Sequence, residues 1–316
     1  MSKLKNVRSA LVTGATGFIG SALVRRLSSE GVRVFCLVRP SSSGVARVRR
    51  LPGVELLETE TFDCATLTQK LSGIEADVVF NLASAGVAPE DRDPHQLLTG
   101  NLGVVVGLIA AISHWRPRRF IHVGSCSEYG PVPEGHLLTE DDSLSPISVY
   151  GAAKACAHIY GAALAALKNV PFNTLRLFGV FGVGEASYRL VPYTISYLRR
   201  EIPVDLTGGR QIRDFLYVDD VVAALLLGAE SDVLVPGCSY NICSGKGVSI
   251  REMAESVAEL MNKPKSLLRL GARPYRPDET MWIVGDNKRF TSLTGWAPRV
   301  TIQEGIREMI SALRNE

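Results

Sequence analysis

Tyr150 and Lys154 are the residues of this sequence whose types and spacing most directly indicate chemistry. Residues 149–168 are rich in alanine and contain no proline, which predicts a long helix. Side chains four apart on a helix share a face, and an ammonium group beside a phenol lowers the pKa of the phenol. Such a phenol can exchange a proton with an alcohol or a carbonyl near neutral pH, and Ser125, at a predicted strand end, could bind the same oxygen. The alternative is an ordinary pair of side chains on a helix surface.

A glycine-rich turn near the N-terminus suggests what kind of molecule could bind beside Tyr150 and Lys154. The short apolar run 10–12 is followed by Gly14, Gly17 and Gly20, and then by a stretch with helical spacing. Strand, glycine turn and helix can together bind a pyrophosphate, because the backbone approaches the phosphates and the helix N-terminus offers free N–H groups. The spacing differs from G-x-G-x-x-G, so a turn that binds nothing is the alternative.

Alternating apolar and helical segments place these residues in an α/β fold. The predicted strands are 10–12, 32–38, 54–57, 76–82 and 119–123, and the predicted helices between them are 21–29, 65–71 and 97–115. Strands that are apolar throughout and alternate with helices predict a doubly wound parallel (Rossmann) sheet. Because ligands bind beyond the carboxyl ends of such strands, the segments 14–20, 83–84 and 124–127 and residue 39 are candidates for the site.

Composition and charge argue against several classes of partner. The 316 residues are 46% hydrophobic and 21% charged, and a net charge of +3 indicates neither a nucleic acid nor an anionic membrane as partner. No signal peptide is recognisable, and the longest apolar runs, 103–112 and 221–228, are too short to span a bilayer. The six cysteines have no metal-ligand spacing. We therefore expect free thiols, no metal and a cytoplasmic protein.

The end of the second predicted strand carries Arg39, at the place where dinucleotide-binding sheets have an acidic residue. That acid binds the adenosine ribose hydroxyls, and residues 37–42 contain none. An arginine with neighbouring hydroxyls suits a 2′-phosphate instead. The sequence therefore favours NADP as cofactor. The alternative is a solvated arginine at a strand end, with NAD as cofactor.

Short motifs along nearly the whole chain resemble one family in their order and spacing. They are TGATGFIG (13–20), NLAS (81–84), NLGVVVGLI (101–109), GSCSEYG (124–130), YGAAK (150–154), RLFGVFG (176–182), GGRQIRDFLYVDD (208–220), YNICSG (240–245), RPDE (276–279) and GWAP (295–298). The sequence resembles the extended short-chain dehydrogenases/reductases, the NAD(P)-dependent group of sugar-nucleotide epimerases, dehydratases and 4-ketoreductases.

This resemblance implies a role for each site residue and a nucleotide sugar as substrate. Tyr150 would be the general acid/base, Lys154 would orient the nicotinamide ribose, and Ser125 would polarise the substrate oxygen. The implied cofactor-binding residues are Gly14, Thr16, Gly17, Phe18, Ile19, Arg39, Leu82, Ala83, Ser84, Tyr150 and Lys154. The implied substrate-binding residues are Ser84, Ser125, Ser127, Phe178, Gly179, Arg213 and Arg276.

Arg213 and Arg276 are implied by the resemblance to contact the nucleotide diphosphate. Two arginines that converge on a diphosphate would form bidentate, charge-assisted hydrogen bonds with it. The alternative is pairing with acidic residues close in sequence: Asp214 or Asp219 for the first arginine, and Asp278 or Glu279 for the second.

Three departures from the family pattern narrow the implied reaction. Cys126 and Ser127 replace the Asp-Glu pair of the dehydratases, with Glu128 one position later, which disfavours 4,6-dehydration. Gly179 stands where many members have asparagine, which puts a standard UDP-hexose epimerase in doubt. Arg39 tilts the choice towards a reductase that consumes NADPH.

The leading expectation is NADPH-dependent reduction of a nucleotide-linked 4-keto-6-deoxy hexose. Tyr150 would protonate the new alkoxide while Ser125 held it. The alternative is a nucleotide-sugar 4-epimerase that keeps NAD bound. A non-catalytic dinucleotide-binding protein ranks below both, because Ser125, Tyr150 and Lys154 are all present.

Domain organisation and assembly can also be predicted. Residues 1–178 are expected to form the dinucleotide-binding domain and 179–316 a mainly substrate-binding α/β region, with 209–240 returning to the Rossmann sheet. Asp219 and Asp220 are expected to cap a helix at 221–230, and Ser249 with Glu252 to form a capping box. Helices 97–115 and 149–168 are apolar on several faces, and the resemblance implies a homodimer through them. The alternative is that the chain's own second half covers them.

Overall fold

The structure is a computed structural model that describes Leu4, residues 6–87, Asp91 and residues 93–314. Its strands are β1 (Ser9–Thr13), β2 (Arg33–Val38), β3 (Val54–Glu58), β4 (Val78–Asn81), β5 (Arg119–Ser125), β6 (Phe172–Leu177), β7 (Gly179–Phe181), β8 (Val204–Leu206), β9 (Ile212–Tyr217), β10 (Ser239–Ile242), β11 (Gly247–Ser249), β12 (Leu268–Leu270) and β13 (Trp282–Ile283). Its helices are α1 (Phe18–Ser29), α2 (Cys64–Lys70), α3 (Pro94–Leu98), α4 (Val104–Ile112), α5 (Val149–Leu167), α6 (Leu190–Arg199), α7 (Val218–Glu230), α8 (Ile250–Leu260), α9 (Lys288–Thr294) and α10 (Ile302–Arg314).

Seven parallel strands form the central sheet in the order β10-β6-β5-β4-β1-β2-β3. The chain winds outward from β1 in both directions, and Leu11 of β1 lies opposite Phe35 of β2 and Val79 of β4. The predicted doubly wound parallel (Rossmann) sheet is therefore confirmed. Its topological switch point lies between β1 and β4, which is where such sheets bind ligands.

Helices cover both faces of this sheet, as strands that are apolar on both faces require. On one face, α1 and α7 bury Leu23 and Leu225 in an apolar cluster with the strands. On the other face, α2, α4 and α5 bury Leu67, Leu108 and Ala157 in a second cluster. The sheet thus holds the loops at its carboxyl edge on a rigid support.

The helical stretch Pro94–Ile112 differs from the predicted helix 97–115. It begins earlier, ends at Ile112, and contains a π-helical turn, Thr99–Gly103, between α3 and α4. Its 19 residues are long and apolar enough to cross a membrane, contrary to the expectation from the shorter apolar runs. Half of the stretch is buried inside the protein, and α4 packs against α2 and α5. Core packing therefore accounts for this apolar character.

A smaller α/β region follows β6. In it, β9 pairs with β7, β11 and β13, and β8 pairs with β12, while α8 packs on α6 and α10. The predicted capping box of Ser249 and Glu252 is present at the start of α8. α7 packs on β5 and β10 pairs with β6, so these two elements lie with the central sheet. The exact domain boundary stays a prediction.

Asp219 and Asp220 do not cap a helix at 221–230, because α7 already begins at Val218 and both residues lie in its first turn. Asp220 is buried, and its carboxylate accepts hydrogen bonds from the backbone N–H groups of Arg299 and Val300 at 3.0 and 2.9 Å. This carboxylate therefore attaches the segment that precedes α10 to the first turn of α7.

Candidate active site

The glycine turn between β1 and α1 is too tightly packed for a side chain at Gly14 or at Gly20. Gly14 has a φ of 67°, and a Cβ atom on it would lie 2.5 Å from the backbone of Leu82. A Cβ atom on Gly20 would lie 2.0 Å from the Gly14 carbonyl oxygen. Gly17 precedes α1 and gives it no side-chain cap, so the first N–H groups of the helix are open to a ligand. This cradle fits the pyrophosphate of a dinucleotide.

Arg39 is exposed at the carboxyl end of β2 and faces the same cleft as the glycine turn. The loop after it packs on that turn, since the hydroxyls of Ser42 and Thr16 are 2.6 Å apart. A Cβ atom on Gly44 would lie 2.2 Å from the Thr16 carbonyl oxygen. This end of the cleft offers a guanidinium and hydroxyls, a set that fits a phosphate.

Tyr150 and Lys154 lie in the first turns of α5. Lys154 is 2% exposed, and its Nζ donates a hydrogen bond to the Val123 carbonyl oxygen at 3.0 Å. The hydroxyls of Ser84, after β4, and Ser125, at the end of β5, lie close enough to Tyr150 to favour a lower pKa of its phenol. All three residues line the cleft at the carboxyl edge of the sheet, where a substrate oxygen could bind between their hydroxyls.

Burial governs the pKa values of both groups. It raises the pKa of Tyr150 above its usual value, against the lowering effect of the Ser84 and Ser125 hydroxyls. It lowers the pKa of Lys154 to about 8, against the raising effect of Glu128. The pKa of Tyr150 is therefore raised, not lowered as the sequence predicts, because loss of hydration disfavours the phenolate more than its contacts favour it. Tyr150 is thus protonated at neutral pH, the form that can donate a proton.

Glu128 fixes the backbone that carries Ser125. Its Oε1 accepts a hydrogen bond from the Ser125 backbone N–H at 2.8 Å, in a capping box around the 3₁₀ turn Cys126–Glu128. Its Oε2 accepts a hydrogen bond from Arg176 Nε at 2.7 Å, and both side chains are buried. Because both oxygens are engaged, Glu128 does not replace the acid that a dehydratase needs. Neither Glu128 nor Arg176 was predicted as a site residue, although both lie within the family-like motifs.

Asn101 positions Ser84 and was likewise not predicted as a site residue. Ser84 Oγ donates a hydrogen bond to Asn101 Oδ1 at 3.0 Å. Asn101 Nδ2 donates to the carbonyl oxygens of Leu97 and Ala85 at 2.7 and 3.1 Å. Asn101 is fully buried within the π-helical turn, and such turns are frequent at functional sites. The signal in the sequence was its place at the start of the family-like motif NLGVVVGLI.

Arg213 and Arg276 share one carboxylate at the opposite wall of the cleft. Arg213 Nη2 donates a hydrogen bond to Glu279 Oε1 at 2.8 Å, and Arg276 Nε donates to Glu279 Oε2 at 3.2 Å. The alternative pairing of Arg276 with Glu279 is thus present, whereas Arg213 pairs with Glu279 in place of Asp214 or Asp219. The two guanidinium groups remain close enough to act on one anion.

Gly179 is a glycine for a packing reason. A Cβ atom on it would lie 2.6 Å from the Asp214 carbonyl oxygen, because β7 pairs closely with β9. Asp214 is buried, and its carboxylate accepts hydrogen bonds from the backbone N–H groups of Ser244 and Gly245 at 2.7 and 2.9 Å. An asparagine at position 179 would therefore displace this backbone, which explains the departure from the family pattern.

The predicted site residues all line one cleft of about 1710 Å³ at the carboxyl edge of the central sheet. Its volume exceeds that of a pocket for one drug-sized ligand, so it can hold a dinucleotide together with a substrate. The predicted residues in its lining are Gly14, Thr16, Gly17, Phe18, Ile19, Arg39, Leu82, Ala83, Ser84, Ser125, Ser127, Tyr150, Lys154, Phe178, Gly179, Arg213 and Arg276. The described residues contain no cluster of metal-ligating side chains.

A doubly wound sheet with a glycine cradle and a Ser-Tyr-Lys set defines an NAD(P)-dependent enzyme of the short-chain dehydrogenase/reductase type. A model of the NAD dependent epimerase/dehydratase family matches residues 10–243, and the chain belongs to that family. This family modifies nucleotide sugars with NAD(P).

Proteins of known name are similar to the chain over nearly its full length. The dTDP-6-deoxy-L-talose 4-dehydrogenase (NAD(P)(+)) of Kitasatospora kifunensis is 28% identical, over 95% of this chain and 94% of its own. The UDP-glucose 4-epimerase of Mycolicibacterium smegmatis is also 28% identical, over 97% and 98%. The solved structure of MoeE5 with UDP-glucuronic acid and NAD has 31% identity and a TM-score of 0.81, over 97% and 99%.

Proposed function

We propose that the protein is an NADPH-dependent reductase of a 4-keto-6-deoxy hexose carried on a nucleoside diphosphate. The observation that carries this proposal is that Ser84, Ser125, Tyr150 and Lys154 line one cleft together with the glycine cradle. The similarity to a dTDP-6-deoxy-L-talose 4-dehydrogenase supports position 4 of a 6-deoxy sugar as the reacting carbon.

The chain's own residues supply the proton chemistry of this reaction. When bound, NADPH supplies a hydride to the carbonyl carbon. Tyr150, kept protonated by burial, donates its phenolic proton to the carbonyl oxygen as negative charge develops there. The Ser125 hydroxyl donates a hydrogen bond to the same oxygen. The Lys154 ammonium, four residues along α5, stabilises the phenolate until solvent returns the proton.

We infer NADP as the cofactor from the end of the cleft beside β2. Arg39 and the Ser42 and Thr16 hydroxyls form a set suited to a 2′-phosphate, and no acidic side chain follows β2 before residue 51 to bind a free ribose hydroxyl. NAD is the alternative, supported by the MoeE5 structure that contains it.

The remaining parts of the cleft are assigned to the nucleotide sugar. Arg213 and Arg276 would bind the diphosphate, while Ser84, Ser125, Ser127, Phe178 and Gly179 would contact the sugar. We further propose a cytoplasmic homodimer that associates through the helices within 97–115 and 149–168. This assembly would leave the cleft open to its ligands, because the site lies at the sheet edge.

A nucleotide-sugar 4-epimerase is the second candidate. It is favoured by the similarity to the UDP-glucose 4-epimerase of Mycolicibacterium smegmatis. The same Ser125, Tyr150 and Lys154 would serve both directions of hydride transfer. The two reactions differ in their use of cofactor, since an epimerase returns the hydride that it removes.

Consumption of cofactor separates the two candidates. The purified protein is mixed with NADPH and a dTDP-linked 4-keto-6-deoxy hexose, and the loss of NADPH absorbance is compared with product formed. One NADPH consumed per product supports the reductase. Conversion of UDP-glucose to UDP-galactose without net loss of cofactor would support the epimerase, and tight cofactor binding without turnover of any keto sugar would indicate a non-catalytic protein.

Tyr150→Phe tests the proposed acid directly. Loss of the phenolic proton should lower kcat by about 10²- to 10⁴-fold, measured as the rate of NADPH oxidation. The matched control is Tyr160→Phe, because Tyr160 lies in the same helix and is 54% exposed. Near-normal kcat in Tyr150→Phe would contradict both catalytic proposals.

A further inference from the structure

The segment 182–189, which joins β7 to α6, forms part of the cleft wall beside the glycine turn. A Cβ atom on Gly184 would lie 3.9 Å from Phe18 Cδ2, and Phe18 is the first residue of α1. Arg47 Nη1 lies 3.5 Å from the Gly184 carbonyl oxygen, which it contacts from the loop after β2. The segment thus links the smaller α/β region to the part of the cleft where a dinucleotide would lie.

Glu185 is the residue of this segment with an unused polar atom. It lines the cleft, and its side chain is only 8% exposed. Its Oε1 lies 3.5 Å from Nε of Arg189, a half-exposed residue. Its Oε2 is buried and has no hydrogen-bond partner among the described residues. The Gly182 backbone and Arg189 lie near enough to favour the charged form of this carboxylate, but neither donates a hydrogen bond to Oε2.

A buried carboxylate oxygen without a hydrogen-bond donor costs free energy, because it has lost its contacts with water and gained none in exchange. Burial accordingly raises the pKa of Glu185 to about 7. Such atoms are rare in native proteins and call for a partner. Glu185 lines the cleft, so a rotation of its carboxylate would present this oxygen to a donor carried by a bound molecule.

We propose that Glu185 Oε2 accepts a hydrogen bond from an uncharged hydroxyl or amide donor of a molecule bound in the cleft. Two sources carry that chemistry: the nicotinamide half of the cofactor, with its ribose hydroxyls and carboxamide, and the hydroxyls of the sugar. The sugar source rests on the proposed function, and the cofactor source rests only on the family. In either case Glu185 is a binding residue supplied from outside the central sheet.

The same geometry makes Glu185 a determinant of specificity. Above its pKa of about 7, Glu185 would present a carboxylate to any acidic group placed at this position, with the Arg189 guanidinium 3.5 Å away to offset it. We therefore expect the cleft to discriminate against an acidic group there.

Direct binding measurements with two variants test the proposal. Glu185→Leu removes the acceptor at similar bulk, and Glu185→Gln keeps one acceptor oxygen. The dissociation constants of NADPH, NAD and the dTDP-linked 4-keto-6-deoxy hexose are measured by calorimetry, so that turnover is not needed. Glu185→Leu should weaken at least one of them by about 10- to 100-fold, the range for a hydrogen bond to a charged group, and Glu185→Gln should weaken it less. The ligand affected identifies the source of the donor.

The control is Glu259→Gln, which removes one carboxylate from a side chain on α8 that is 63% exposed. Glu185→Leu that binds every ligand within twofold of wild type would overturn the proposal, as would equal losses in Glu185→Leu and Glu185→Gln. If the wild type binds no sugar nucleotide, the proposed function fails, and the NADPH and NAD measurements alone decide the role of Glu185. Thermal unfolding without ligand confirms that both variants are folded.

Discussion

At residue 154, a lysine ammonium lies where water barely reaches it, with the Val123 carbonyl oxygen as its acceptor. Burial lowers its pKa to about 8 from 10.5. The folded protein therefore carries this charge less readily than the unfolded chain does. Such a position is retained at the expense of stability, which agrees with a role in the site rather than in packing.

The lowered pKa of Lys154 makes the stability of the protein depend on pH. Between pH 8 and 10.5 the unfolded chain binds more protons at this residue than the folded protein, so stability rises with pH in that window. Relative to Lys154→Met, the free energy of unfolding of the wild type should increase by about 2 kcal/mol from pH 7 to pH 9.5. Urea denaturation at several pH values measures it.

Lys168→Met is the control, because Lys168 is exposed at the end of the same helix. Its pH curve should run parallel to that of the wild type. If the curves of Lys154→Met and the wild type also ran parallel, the lowered pKa of Lys154 would be refuted.

The sequence was sufficient to bring Ser125, Tyr150 and Lys154 into one cleft, because motif order fixes which strand ends meet. It was not sufficient for the direction of the Tyr150 pKa, which depends on how much of the fold covers the phenol. Glu128 and Asn101 were missed for a related reason. Their partners are side chains and carbonyls brought close only by the fold, such as Arg176 for Glu128.

Among the elements, the contact between the start of α1 and the end of β1 decides how the cofactor is held. The helix approaches so closely that only hydrogen fits at Gly20, next to the Gly14 carbonyl oxygen. The first turn of α1 is thereby pressed against the loop that would bind the pyrophosphate. A small change in this contact should affect binding more than it affects the core.

We therefore predict that Gly20→Ala weakens NADPH binding by at least about tenfold and lowers stability by about 1–3 kcal/mol, since the added methyl forces backbone apart. Fluorescence titration and thermal unfolding measure the two effects. Gly228→Ala in α7 is the control, because its added Cβ would meet only side chains, the nearest at 3.3 Å. Unchanged NADPH affinity in Gly20→Ala would show that the cradle does not hold the cofactor.

Elements that a local sequence pattern specifies were predictable. Elements that depend on contacts between residues distant in sequence were not. The strands β1 to β5 follow from apolar runs, whereas β6 and β10 carry buried polar residues such as Asn173 and Asn241 and were not predicted as strands. The π-helical turn was not predicted either, since it depends on Asn101 binding the Leu97 and Ala85 carbonyl oxygens. The role of Asp220 is likewise not visible in the sequence, because its carboxylate binds the backbone of a segment about 80 residues away.

For the assembly of the whole molecule, the important element is α5, which has one buried face and one exposed apolar face. Small residues pack it on the sheet: Ala153, Ala157, Gly161 and Ala165 are buried. Large apolar residues lie exposed elsewhere on it: Ile159, Tyr160 and Leu167 are 58%, 54% and 76% exposed. Exposed apolar groups of this kind on one helix fit an interface with a second molecule.

We predict that the wild type is a dimer of the 34.2 kDa chain and that Ile159→Glu shifts it towards the monomer, because the interface would bury an unpaired charge. Light scattering coupled to gel filtration measures the mass. Val233→Glu is the control, since Val233 is 55% exposed in the loop after α7 and lies outside the proposed interface. A monomeric wild type, or a dimer that Ile159→Glu leaves intact, would contradict this assembly.

The carboxylate that Arg213 and Arg276 share has a further consequence for how an anion enters. Glu279 holds both arginines through separate oxygens, so their long side chains have already lost much of their rotational freedom. An arriving diphosphate would then meet ordered donors, and less side-chain entropy remains to be lost on binding, by about 0.5–1.5 kcal/mol for each side chain. The trio also carries a net charge of one rather than two, which lowers its attraction for inorganic phosphate. The site would therefore favour a whole nucleotide sugar over inorganic phosphate.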